Sequence, residues 1–217
     1  MKHLTAAALL ACAATAAQAA PYAVTYTGTL GTSTFPEIIG GEFYSITLVL
    51  DNGGATTASQ TWSVQHITCV IWRMNDAGNV VLAQQGPLSD VTGTITTSGS
   101  GALTGFFTHA QSEPATNFTT SGFTAPLTSV GWIIDGASTP VFGSQLYSFG
   151  DASGGGAVST NPSHWAISQQ PYTAPCAAPA AAAPNATPVP TLGHATLALL
   201  SGVLGAAGFN SRRRKKA

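Results

Sequence analysis

Residues 60–74 constrain this chain most. They read Gln-Thr-Trp-Ser-Val-Gln-His-Ile-Thr-Cys-Val-Ile-Trp-Arg-Met, rich in β-branched and aromatic residues. Trp62, Val64, Val70, Trp72 and Met74 share one parity, with His66 and Thr68 between them. Ser63, Gln65, Ile67, Cys69, Ile71 and Arg73 share the other. A period of two is that of a β-strand, and these residue types fit a pleated, half-buried surface. A strand this long is expected to bend or bulge near His66.

Similar runs surround it. Residues 22–30 alternate Tyr22, Val24 and Tyr26 against Ala23 and Thr25, and residues 42–50 carry Phe43, Tyr44, Ile46 and Val49. Asp51-Asn52-Gly53-Gly54 then breaks the pattern. Asn and Gly tolerate positive φ, so this is a turn with a mechanism. Asn75-Asp76-Ala77-Gly78-Asn79 predicts a hairpin loop with a return at 80–84. Ser98-Gly99-Ser100-Gly101 predicts another, between strands at 90–97 and 102–108. Residues 111–128, rich in Thr, Ser and Pro, are expected to be a long crossover. Short strands are expected at 130–134, 146–149 and 165–170, with a Gly-rich loop at 151–162. Short strands so punctuated predict an all-β, antiparallel β-sandwich, jelly-roll-like, over residues 20–170.

Both ends of the chain differ from this pattern. Lys2, His3, an apolar stretch over 4–17 and Ala17-Gln18-Ala19 predict a secretory signal peptide over residues 1–19. Leu9-Leu10-Ala11-Cys12 also resembles a lipoprotein cleavage box, a minor alternative. Residues 171–188 alternate prolines with alanines and predict a semi-extended linker that holds the domain off a membrane. Residues 189–217 form a third kind of segment. Val189-Pro190-Thr191-Leu192 opens it, residues 192–209 carry no Asp, Glu, Lys or Arg, and Arg212-Arg213-Arg214-Lys215-Lys216 closes it. Eighteen helical residues reach about 27 Å, close to a bilayer core, so 192–209 predicts one C-terminal transmembrane helix. The basic cluster would stay on the inner side.

That tripartite order resembles the IPTL-CTERM variant of the PEP-CTERM sorting signals of Gram-negative bacteria. The resemblance rests on Val189, Pro190, Thr191, Leu192 and the 212–216 cluster. It implies that an exosortase, a membrane-embedded cysteine transpeptidase-like enzyme, processes the tail at the bacterial inner membrane. Val189 replaces the usual Ile, and Ala195 and Thr196 lie where the subtype has Trp-Gly. The β region resembles the ectodomains that precede such tails, through Leu50-Asp51-Asn52-Gly53-Gly54, Ser59-Gln60-Thr61-Trp62 and Asn161-Pro162-Ser163-His164-Trp165.

Between the two ends lie all eight acids and one base, Arg73. A nucleic-acid binder needs the opposite balance, so none is expected. Cys69 and Cys176 remain after signal-peptide removal; an oxidising compartment permits a disulfide, and free thiols are the alternative. Two cysteines make no zinc site, and no metal or cofactor is expected. His66, His109 and His164 accompany no nucleophile-elbow motif. Asp51, Asn52, Asp76 and Asn79 offer oxygen atoms in turns but lack a calcium-loop signature. The expected function is a non-enzymatic surface or extracellular-matrix protein with a sorting tail. The alternative is a carbohydrate-binding module that meets extracellular polysaccharide with exposed rings, Trp132 and Trp165 being the candidates. A glycan-active enzyme with a facing carboxylate pair is the third reading.

Overall fold

A computed structural model describes residues 20–76, 78–86, 88, 90–135, 141–143, 148–152 and 159–179. The expected signal peptide, the sorting motif, the 192–209 span and the basic cluster lie outside the described residues. Among the described residues no helix is long and apolar enough to cross a membrane.

The described residues are all-β, with single-turn 3-10 segments at Val64–His66 and Pro162–His164 among them. In order, the strands are β1 (Tyr22–Ser33), β2 (Phe43–Leu50), β3 (Thr61–Trp62), β4 (Ile67–Met74), β5 (Val80–Gln85), β6 (Asp90–Thr92), β7 (Ile95–Thr97), β8 (Leu103–Gly105), β9 (His109–Ala115), β10 (Phe118–Ser121), β11 (Val130–Asp135), β12 (Val141–Gly143), β13 (Ser148–Asp151) and β14 (Trp165–Ile167). Every pairing is antiparallel.

Two layers share β1. Its residues 22–29 pair with β2, which continues through β4 and β5 to β10. β14 lies on the other edge of this half, with Val24 opposite Ile167. At Leu30 the register shifts, and β1 passes to β13, which leads through β12, β11 and β9 to β6. The layers face each other: Trp72 of β4 lies 6.1 Å from Trp132 of β11, ring centre to ring centre. This is a sandwich-like arrangement built mainly of meander hairpins, with a small separate sheet of β3, β7 and β8.

Three expectations change. Residues 60–74 are not one bent strand. Ser63 donates its backbone N–H to His66 Nδ1 at 2.9 Å, closing a 3-10 turn that sends β3 and β4 into different sheets. Residues 90–97 split likewise, at Gly93, whose φ of +89° ends β6 before β7 begins. The expected crossover at 111–128 contains β10 and most of β9. Pro114 is accommodated there because the β9–β11 register shifts between Ala115 and Ser112, the irregularity at which a strand tolerates a missing donor.

The core is organised by aromatic rings. Phe106 stacks on Trp165 at 4.2 Å, Trp165 meets Tyr26 at 5.3 Å, Tyr26 meets Tyr44 at 5.9 Å, and Tyr44 stacks on Trp72 at 6.0 Å. Two polar groups sit inside it. Gln84 accepts from Trp132 Nε1 at 2.9 Å and donates to Ser112 Oγ at 2.8 Å, joining the layers. Asp151 of β13 accepts from the hydroxyls of Tyr26 at 3.0 Å and Tyr44 at 2.7 Å. Gly28 makes room for that carboxylate, since a Cβ there would lie 2.1 Å from Asp151 Oδ2 and 2.8 Å from the Tyr44 ring. Burial, then the Asp151 carboxylate, holds the Tyr44 phenol well above its ordinary value of 10.0.

Two outcomes follow from this buried cluster. Gly28→Ala lowers unfolding stability by about 2 kcal/mol or more, since the overlap is with a buried charged group and two rings; urea titration measures it. A raised folded phenol pKa gives stability that is whole below pH 10.0 and falls as pH rises past it, because the unfolded chain then releases a proton that Tyr44 keeps. The decline is at most about 1.4 kcal/mol per pH unit for one group. Tyr44→Phe therefore starts less stable at neutral pH but declines less steeply above pH 10.0, measured as urea midpoints across the alkaline range.

Candidate functional site

The first layer has an unusual outer face. Across it, Val49 lies opposite Cys69, Thr47 opposite Ile71 and Ser45 opposite Arg73. Gln85, Ala83 and Val81 of β5 continue these rows. Directly opposed residues share a face, so Val49, Cys69, Ile71, Val81 and Ala83 form an apolar patch turned away from the main core. All five are buried. Their cover is residues 171–179, the segment expected to be a free spacer.

That segment is a strap. Tyr172, Cys176 and Ala178 pack on the patch. Tyr172 donates its backbone N–H to Pro21 O at 2.7 Å, and Ala178 donates to Thr119 Oγ1 at 2.8 Å. A disulfide joins Cys69 to Cys176 with Cα atoms 5.7 Å apart. The linker reading fails for residues 171–179 because its few apolar side chains meet a sheet face that is itself apolar. Burial raises the Tyr172 phenol, and the nearby Arg73 charge opposes that shift.

Two concavities open on this face. A cleft of about 670 Å³ runs beside the strap, lined by Pro21, Gln65, Thr68, Gln85, Gly86 and Tyr172. At the other end a hollow of about 350 Å³ is lined by Thr27, Phe43, Ser45, Arg73, Asn75 and Asp76. Phe43 is 60% exposed there and Ile39 nearby is 54% exposed. Phe43 donates its backbone N–H to Asp76 Oδ1 at 2.6 Å, tying the hairpin loop to the start of β2.

The tryptophans proposed for sugar contact are elsewhere. Trp132 is 3% exposed and Trp165 is 5% exposed. Trp132 points between the layers to Gln84, and Trp165 stacks on Phe106 while donating Nε1–H to Ser159 O at 2.7 Å. Both rings belong to the core, so neither serves as an exposed stacking surface. Their nearness to loops suggested exposure, but each N–H has a buried acceptor that fixes the ring inward.

The remaining polar candidates have local partners. His66 closes the turn after Ser63, and His109 Nδ1 lies 3.5 Å from Asp135 Oδ2, across the β9–β11 pair. His164 is exposed in the Pro162–His164 turn. Asp51 accepts from Gly53 N–H at 3.0 Å, Glu42 accepts from Asp76 N–H at 3.2 Å, and Asn79 accepts from Asn75 at 3.2 Å. Burial raises the Glu37 pKa, but hydrogen bonds from the Thr124 side chain and backbone and from its own backbone together outweigh it and lower the pKa overall. These acids serve as turn and cap acceptors. Among the described residues no three His, Cys, Asp or Glu side chains gather as a metal-ligand set. The Asn52 and Trp165 pieces of the ectodomain resemblance also have structural work: Asn52 donates to Gln60 at 2.8 Å and Thr61 O at 3.1 Å, and Asn161 accepts from Ser163 N–H at 3.0 Å.

Together these features define a two-layer antiparallel β domain whose outer face is covered by its own C-terminal strap. Beyond the strap, residues 187–214 match the family model described as the IPTL-CTERM motif, a PEP-CTERM-like sorting signal. The match spans Val189, Pro190, Thr191, Leu192, Arg212, Arg213 and Arg214. Such a motif implies processing by an exosortase-like enzyme and suggests a cell-surface or extracellular destination. No curated protein and no solved structure matches the chain.

The strap yields a direct test. The Cys69–Cys176 bond closes a loop with a sequence separation of 107 residues. Cys176→Ser lowers stability by about 2–4 kcal/mol, the usual range for removing a native disulfide. Limited proteolysis of the variant cuts within residues 171–179, whereas the oxidised parent is protected there. Equal protection in both would mean that packing alone holds the strap.

Proposed function

We propose that this chain is a non-enzymatic surface or extracellular-matrix protein delivered by its tail. Residues 1–19 direct export, residues 192–209 hold the chain in the inner membrane with Arg212, Arg213, Arg214, Lys215 and Lys216 on the inner side, and an exosortase-like enzyme acts at the Val189–Leu192 motif. The observation that carries this reading is the motif match over residues 187–214. The positive-inside tendency supports the orientation. The eight acids between the two ends suit a soluble exported domain and disfavour nucleic acid. The glycan-enzyme reading has less support, because Glu37, Glu42, Asp51 and Asp76 are each engaged by a backbone N–H of a turn or strand end.

Expression of the full chain in a Gram-negative host with and without an exosortase tests the proposal. With the enzyme, the mature protein loses the mass of the tail from the motif onward; without it, the chain stays full-length at its C-terminus and partitions with membranes. Replacing Pro190, Thr191 and Leu192 by Ala restores the unprocessed mass even with the enzyme present. An identical C-terminal mass in both hosts would sink the processing step. A full-length chain in the soluble fraction would sink the membrane span.

A further inference from the structure

The hollow at the open end of the outer face combines four features. Phe43 presents a flat ring to solvent, 60% exposed. Arg73, the single base between residues 20 and 188, lies beside it and makes no ion pair among the described residues. Thr27 and Ser45 bring hydroxyl groups that neither donate nor accept a hydrogen bond among the described residues. Asp76 brings a carboxylate, fixed by its 2.6 Å bond from Phe43 N–H. These groups stand on three neighbouring strands and one hairpin: Thr27 lies opposite Ser45, and Ser45 opposite Arg73. Gly78 turns the hairpin at a φ of +58°, beside the Arg73 stem. A site on paired strands keeps its geometry better than one on free loops.

We propose that this hollow binds a neutral pyranose residue of a polysaccharide. The apolar C–H face of the sugar lies on the Phe43 ring, as sugars lie on aromatic faces. Ring hydroxyls accept from the Arg73 guanidinium and donate to the Asp76 carboxylate, with Ser45 and Thr27 completing the rim. The 350 Å³ volume falls at the small end of ligand sites and suits one sugar ring. The ligand is neutral because Asp76, with Glu42 accepting from its N–H, places two carboxylate residues against one guanidinium. An acidic sugar would meet those charges. A lone exposed hydrophobic residue is ordinary on a protein surface. Here the ring adjoins an unpaired guanidinium and free hydroxyls in one concavity, which a merely solvated strand end has no reason to assemble. The proposal is independent of the sorting tail, so its failure leaves the delivery reading untouched.

Saturation-transfer NMR tests it on the full chain in detergent, titrated with malto-, cello-, xylo- and galacto-oligosaccharides and with oligogalacturonate as the anionic comparison. At least one neutral series binds, with a Kd on the order of 1 mM as expected for a single stacked ring. Phe43→Ala weakens it about tenfold and Phe43→Tyr retains it, the loss corresponding to about 1.4 kcal/mol of ring contact. Arg73→Gln weakens it, while Thr104→Ala, on β8, leaves it unchanged. Phe43 is exposed, so its variants fold, and matching thermal midpoints confirm this. No neutral oligosaccharide bound up to about 10 mM, a weak limit for any specific site, would overturn the proposal. So would binding of oligogalacturonate alone, or an affinity indifferent to Phe43→Ala.

Discussion

The first layer carries buried apolar residues on both faces, and most of the architecture answers that fact. Val70, Trp72 and Met74 of β4 turn to the core, while Cys69 and Ile71 of the same strand turn outward, and all five are buried. Antiparallel sheets commonly leave one face to water. This one cannot, because Val49, Ile71, Val81 and Ala83 together would expose a contiguous apolar patch. The second layer covers one side. Residues 171–179 cover the other. A strap so rich in proline forms few backbone hydrogen bonds of its own and adds little apolar area, so a covalent bond at Cys69, within the patch, supplies the hold that packing alone supplies weakly.

The buried polar groups do a different job from the apolar ones. Apolar burial is not directional, so it would tolerate several relative positions of the layers. The Trp132–Gln84–Ser112 chain and the Tyr26–Asp151–Tyr44 cluster are directional. Shifting β11 against β5 would leave the Trp132 N–H and the Gln84 amide buried without partners, which costs about 1–3 kcal/mol for each group. Asp151 stands where β1 passes from one layer to the other, opposite Leu30 in the register. Its two phenolic donors come from β1 and β2 of the first layer. One carboxylate therefore fixes the corner at which the sheet turns.

Much of the fold was legible in the alternation of residues 22–30, 42–50 and 67–74, because strands with a buried face must repeat every second residue. The break at Val64–His66 was not, because it depends on Ser63 N–H meeting His66 Nδ1, a contact that parity counting does not contain. Strands β9 and β10 were hidden by Pro114 and by threonines that resemble loop composition. The site was less legible than the fold. Trp132 and Trp165 were placed outward because they adjoin loops, yet their acceptors, Gln84 and the Ser159 carbonyl, lie far off in sequence or in irregular backbone. The signal for the outer face was present in Cys69 and Ile71: apolar residues on the parity opposite to the tryptophans require a cover, and Cys176 in a proline-rich stretch names the segment that provides it.

The strap also changes what the segment before the sorting motif can do. A spacer over residues 171–188 would have let the domain range freely from the motif. With residues 171–179 held on the sheet, nine residues, 180–188, separate the strap from Val189 in sequence. Nine residues of backbone span at most about 30 Å even when fully extended. The disulfide thereby couples two events that sequence order alone leaves separate: closing the outer face and limiting how far the motif can lie from the folded domain. The cysteine in the proline-rich segment thus sets the covalent reach from the sheet to the motif as well as closing the outer face.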